Sequence, residues 1–139
     1  MIALLDTNII MDALQERQPF DIEAKEILKR SQNGKEFTSL FTANAATDIF
    51  YLYSKARDMK SAKVALDFLI KNYGVVTVSQ ADCLAAISLS VDDFEDALVI
   101  VCAQKANADY IITRDEGFLS ATSSVERITP KGFITLMGY

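Results

Sequence analysis

Short apolar runs alternate with longer segments of helical period along this chain, and that alternation leaves few folds open to it. The run Ile2–Leu5 is continuously apolar and stops at Asp6, the pattern of a strand buried on both faces. Phe37–Leu40, Val75–Val78 and Tyr110–Thr113 read as further strands, with Val125–Ile128 as a fifth. Between them the spacing predicts a helix over Asp21 to Ser31, with Ile22, Ala24, Ile27 and Leu28 near one side and Asn33-Gly34 as its stop. Two long helices follow. Ala45, Ile49, Leu52 and Ala56 form the inward stripe of the first, about Ala43 to Ala56. Ala62, Ala65, Leu66, Leu69 and Tyr73 repeat along the second, about Ser61 to Tyr73, which Gly74 closes. Ala81–Leu89 reads as a short helix. Asp92 to Ala106 is apolar nearly all round after its first turn, which predicts a buried helix, and Thr129-Pro130 opens a last one ending near Gly138. The expected fold class is α/β: a three-layer α/β/α sandwich around a central, mainly parallel sheet of four to five strands.

With 139 residues, half of them hydrophobic, the chain is long enough to bury the core of one domain, residues 1–139. The apolar start is too short for a signal peptide and lacks a basic flank, and no apolar run approaches a membrane span. These features predict a soluble, cytoplasmic protein with no membrane partner. Cys83 and Cys102 sit in apolar helical surroundings and are expected as buried free thiols.

There is no histidine. That removes imidazole acid–base cleavage of RNA, the usual serine and cysteine triads, and most zinc sites. Chemistry here falls to carboxylates, hydroxyls, lysine or a bound metal. With 19 acids against 14 bases, oxygen ligands and a hard cation such as Mg²⁺ or Mn²⁺ are favoured.

The acids fall where such a sheet binds ligands, beyond the carboxyl ends of its strands. Asp6 ends the first strand, and Asp115 lies two residues past the fourth. Asp96 sits in the first turns of the buried helix, and Asp48 lies early on its helix at the edge of the apolar stripe. Clustered carboxylates raise one another's pKa, a repulsion that one or two divalent ions would remove. Each acid also has a plainer role open to it. Asp92 with Glu95 could form a capping box, Asp93 or Asp96 could complement the helix dipole, and Asp6 or Asp115 could start a helix or a turn.

At these same residues the chain resembles the PIN-domain nucleases along nearly its whole length. Leu4-Leu5-Asp6-Thr7-Asn8-Ile9 looks like the family's opening strand, with its first metal-binding Asp and a supporting Asn8. Asp93-Phe94-Glu95-Asp96-Ala97-Leu98, followed by Ala103, looks like the third-acid helix, with Asp96 as ligand and Asp93 in support. Ala108-Asp109-Tyr110-Ile111-Ile112-Thr113-Arg114-Asp115 looks like the final strand, with Thr113 as its hydroxyl and Asp115 as the fourth acid. The second acid is commonly a Glu. Here Thr47-Asp48-Ile49 occupies its place, one methylene shorter, with Asn44 as a weaker candidate. The resemblance implies a PIN-like sandwich whose catalytic, metal-holding residues are Asp6, Asp48, Asp96 and Asp115, binding one or two Mg²⁺ or Mn²⁺ ions. It implies an endoribonuclease that hydrolyses RNA with activated water. Many short bacterial members are toxins of VapBC-type pairs, so a small antitoxin and a homodimer are the implied partners.

A net charge of −5 argues against broad nonspecific nucleic-acid binding. The charge is segregated, however. Between Lys55 and Lys71 five bases (Lys55, Arg57, Lys60, Lys63, Lys71) face two acids, whereas Asn72 to Gln104 holds five acids and no base. Lys55, Arg57, Lys60 and Lys63 could therefore guide an RNA backbone toward the acids, or could be a solvated helix face. Arg17 and Arg114 are further phosphate-contact candidates, and Tyr51 could stack on a base while Tyr53 faces the core. The alternative reading is a catalytically degenerate PIN-like binding or interaction module. A phosphatase of haloacid-dehalogenase type is disfavoured by Asn8, which stands where a second acid is needed, and neither a dinucleotide nor a Walker loop is present.

Overall fold

The computed structural model describes residues 1–120 and 124–138. Five strands form one sheet: β1 (Ile2–Leu5), β2 (Thr38–Thr42), β3 (Gly74–Val76), β4 (Tyr110–Ile112) and β5 (Glu126–Ile128). Their order is β3-β2-β1-β4-β5 and every pairing is parallel. The chain steps outward from β1 through β2 to β3, then returns to lie on the other side of β1. Right-handed crossovers send the two halves to opposite faces, so the β1/β4 boundary is the switch point of the sheet.

Alternate side chains supply two cores. Ala3, Leu5, Phe41 and Ile112 pack against α1 (Thr7–Leu14), α2 (Asp21–Ser31), the start of α3 (Ala43–Ala56), the end of α4 (Met59–Asn72) and α8 (Pro130–Leu136). Leu4, Val76 and Ile111 pack against α5 (Gln80–Ser88), α6 (Phe94–Lys105) and α7 (Glu116–Leu119). Every residue of α6 from Ala97 to Ala103 is buried, as its all-round apolar pattern predicts. This fixes the helix that carries Asp96.

Several local expectations shift. A 3₁₀ turn, Gln32–Gly34, follows α2, with Asn33 at φ 55° and Gly34 at φ 69°. Ile22 and Ala56, expected to face inward, are exposed. Ile22 lies in the first turn of α2 and Ala56 is the last residue of α3. The buried residues of α3 are Ala45 and Ile49, near its start, and those of α4 are Ala62 and Leu69. The cap of α6 is Asp93, not Asp92: the Asp93 side chain accepts from the Asp96 backbone N–H at 3.0 Å. Cys102 is buried but Cys83 only half-buried, and both are free thiols. Among the described residues, no helix is long and apolar enough to cross a membrane.

Candidate metal centre at the carboxyl edge

Three backbone features aim the acids at one edge. Asp6 ends β1, where its N–H donates to the Ile112 carbonyl at 3.0 Å and its extended backbone starts α1. Thr113, fully buried just past β4, donates its hydroxyl to Asp6 Oδ2 at 2.9 Å and accepts from the Asp115 N–H at 3.1 Å. Asp115 Oδ1 in turn accepts from the N–H groups of Gly117 (2.9 Å) and Phe118 (3.2 Å), capping α7. The switch-point strands are thus stitched together through Thr113, and one oxygen of each carboxylate is spoken for.

Burial pushes the Asp6 carboxyl up from its ordinary value, and nearby Asp115 adds to the rise against the lowering effect of the Thr113 hydrogen bond. Asp96 is pushed up to about 7, first by burial and then by Asp93, Asp6, Asp115 and Glu95. Glu95 is also raised, by partial burial and then by Asp48, Asp6 and Asp93. The charges of Asp6 and Asp115 are thus felt at Asp96, that of Asp115 at Asp6, and those of Asp48 and Asp6 at Glu95, which sequence reasoning treated only as a cap partner. No salt bridge among the described residues reaches any of these acids.

The acids influence one another without closing on a point. Among the described residues, no group of three or more Asp, Glu or Cys side chains is set to clasp an ion directly. Carboxylate oxygens are the donors that Mg²⁺ takes, one or two at a time beside its bound waters. Asn44, the weaker second-acid candidate, has a buried side-chain oxygen with no hydrogen-bond partner.

The supporting and basic residues divide. Asn8 is exposed and its Oδ1 accepts from Arg17 Nη1 at 3.4 Å. Arg114 is held by Asp12, an acid the sequence did not single out. Its Nε and Nη2 donate to the two Asp12 oxygens at 2.6 and 3.0 Å, and Arg17 lies 3.7 Å from the same carboxylate. Lys55 donates to the Tyr51 hydroxyl at 3.1 Å and Arg57 lies over the Tyr53 ring. Arg57 and Lys60 line a groove with Tyr53 and Phe68 near the outer end of the α3–α4 hairpin, and Lys63 is exposed on α4. Tyr53 is half-buried against the core, as expected, and Tyr51 is exposed.

A PIN domain profile matches residues 3–117, most of the chain. The chain belongs to the PIN domain family. Its fold is that of solved toxin–antitoxin proteins. VapBC2 from Rickettsia felis, bound to a promoter DNA fragment, aligns with a TM-score of 0.69 at 17% identity, over 93% of this chain and 98% of that one. VapC20 of Mycobacterium tuberculosis, described as a toxin that cleaves the sarcin-ricin loop, gives 0.70 at 14% identity, over 91% and 99%. A toxin–antitoxin complex from Klebsiella pneumoniae gives 0.68 at 21%, over 92% and 97%. No curated protein matches the chain.

Proposed function

We propose that this PIN domain is a Mg²⁺- or Mn²⁺-dependent endoribonuclease and the toxin of a toxin–antitoxin pair. The observation that carries the reading is that burial and neighbouring acids raise the carboxyls of Asp6, Glu95 and Asp96, while no salt bridge among the described residues reaches them. A fold stabilised only by its own contacts gains nothing from such a cluster, because like charges destabilise it. Asp6, Asp48, Asp96 and Asp115 would hold one or two ions, with Glu95 reinforcing the shortened Asp48 from the facing helix. Bound there, a divalent ion supplies a nucleophilic hydroxide and neutralises charge on the phosphate.

The chain's own groups do the positioning. Thr113 fixes Asp6 through Oδ2. Asp93 anchors the first turn of α6 and so the direction of Asp96. With its pKa at about 7, the Asp96 carboxyl of the metal-free protein is close to half-protonated at neutral pH. It is therefore the group here best able to take up or release a proton. Lys55, Arg57, Lys60 and Lys63 would guide the RNA backbone from the outer end of the hairpin. The toxin–antitoxin assemblies among the structural neighbours support a small antitoxin as partner; a homodimer as the working state is part of the same proposal.

A degenerate interaction module is the second reading, favoured by the open spacing of the carboxylates. Cleavage of a labelled single-stranded RNA, with Mn²⁺ or with EDTA, separates the two. Metal-dependent cleavage that disappears in Asp96→Asn, with the fold intact, is expected. A folded protein that cleaves nothing and gains no thermal stability from Mn²⁺ would leave the interaction module standing.

A further inference from the structure

We propose that the cleft between the entrances to α2 and α8 is a subsite for one nucleotide of single-stranded RNA beside the scissile phosphate. The proposal rests on the nuclease reading above and extends it to how the strand is held. The cleft is lined by Pro19, Phe20 and Glu23 on one side and Thr129, Pro130 and Lys131 on the other, with Arg114 between them. Its volume of about 410 Å³ falls within the roughly 300–1,000 Å³ of clefts that take small ligands. Arg114 joins it to the acids, since it separates Thr113 from Asp115 in the chain and its charge is felt at Asp6.

Three features suit a nucleotide. Phe20 is 44% exposed, although a ring of that size is ordinarily driven inward. One of its faces carries the Arg114 guanidinium, 4.1 Å from the ring centroid, and the exposed part of the ring is what a base would stack on. Stacking on an aromatic ring tolerates any base. Arg114 itself is pinned. Asp12 takes its Nε and Nη2, while Nη1 has no hydrogen-bond partner among the described residues. A donor held rigidly in this way loses little freedom on meeting a phosphate oxygen. Lys131 is exposed and makes no ion pair among the described residues, so its ammonium is available to a second phosphate oxygen. Glu23 sets one carboxylate on the wall. A neutral base seated between Phe20 and the two prolines tolerates that charge better than an acidic peptide would.

The chain contains no tryptophan, so Phe20→Trp gives a single reporter at the cleft. The experiment adds a short single-stranded oligoribonucleotide, in EDTA to prevent cleavage, and follows both the indole emission of this variant and the anisotropy of a labelled strand. Quenching of that emission in step with binding is expected, because a base stacks on the ring. Phe20→Ala should weaken binding about tenfold, within the contribution of one base stacked on an aromatic side chain. Lys131→Gln should weaken it about two- to threefold and flatten the log–log salt slope by about 0.7, one phosphate contact on a single strand. Lys29→Gln, on α2 outside the cleft, should bind as the wild type does. Binding without quenching, or with Phe20→Ala and Lys131→Gln both as tight as the wild type, overturns the subsite even if the wild type cleaves RNA. A protein that shows the quench and the two losses but never cleaves with Mn²⁺ sustains the subsite and overturns the nuclease reading alone.

Discussion

Asp6 and Asp12 lie six residues apart on the same strand–helix segment, both withdrawn from solvent, yet they sit in opposite surroundings. Asp12 is fully buried and meets two arginines, one of them through both carboxylate oxygens. Asp6 meets a threonine hydroxyl and the charge of Asp115, which Arg114 offsets only from a distance, without a salt bridge. The first arrangement compensates a buried charge inside the protein. The second leaves the compensation to something that arrives from outside. A buried carboxylate is thus structural or functional according to the sign of its neighbours, and the two kinds can stand less than two helical turns apart.

Exchanging either acid for its amide tests that contrast, and the largest effect should be on chemistry at Asp6. Asp6→Asn is expected to lower metal-dependent cleavage by at least about a hundredfold, measured with single-stranded RNA, while the metal-free protein melts no lower than the wild type because a repelled charge has gone. Asp12→Asn should do the reverse. It strips Arg114 of its partner and should lower stability by about 3 kcal/mol, the lower end for a broken buried pair because Arg114 is partly solvated, read from the urea midpoint. If both variants lost stability alike, the contrast between the two acids would collapse.

A smaller effect is expected at Thr113, which touches no substrate but holds Asp6. Thr113→Val should reduce activity or metal affinity about 10–100-fold, as for outer-sphere partners of metal ligands. The pH dependence of the metal-free fold sharpens the same point. The Asp96 pKa is raised from 3.8 to about 7 in the folded protein, so between these values the unfolded chain has already released a proton that the native state still holds. Native stability from this group therefore falls as pH rises from about 4 to 7 and levels off above, and saturating Mn²⁺ should flatten the fall. A wild-type melting temperature that did not fall relative to that of Asp96→Asn across that window in EDTA would contradict the assignment. The smallest change is predicted for Glu95→Gln, a few-fold loss of Mn²⁺ affinity, because its carboxylate supports the cluster through partial burial and proximity to Asp48.

The sheet was legible because its strands are short, wholly apolar runs separated by helical periods, and the positions of Asp6 and Asp115 because both follow the ends of such runs. The end of α2 followed from Asn33-Gly34, and the extent of α3 from its apolar stripe. The helix α1 was less readable: Ile9, Ile10, Met11, Asp12 and Ala13 are all buried, so no polar face marks its period. Asp12 looked like an ordinary polar position for the same reason, since its partner Arg114 lies 102 residues away and nothing local announces it. Glu95 was hidden by its neighbour. Adjacent helical residues do not share a face, and only the packing of α6 against the switch point brings both acids into the cluster. The cleft of Phe20 and Lys131 arises from the meeting of two distant helix entrances, which no spacing rule records.

The claim that the acids at the switch point form a cation site is tested most directly by titrating metal-free protein with Mn²⁺ in a calorimeter at pH 8, wild type beside Asp96→Asn and Asp12→Asn. Binding to the wild type, at least tenfold weaker in Asp96→Asn and retained in whatever fraction of Asp12→Asn is folded, is the predicted result. Equal binding by the wild type and Asp96→Asn, or none by either, would contradict it.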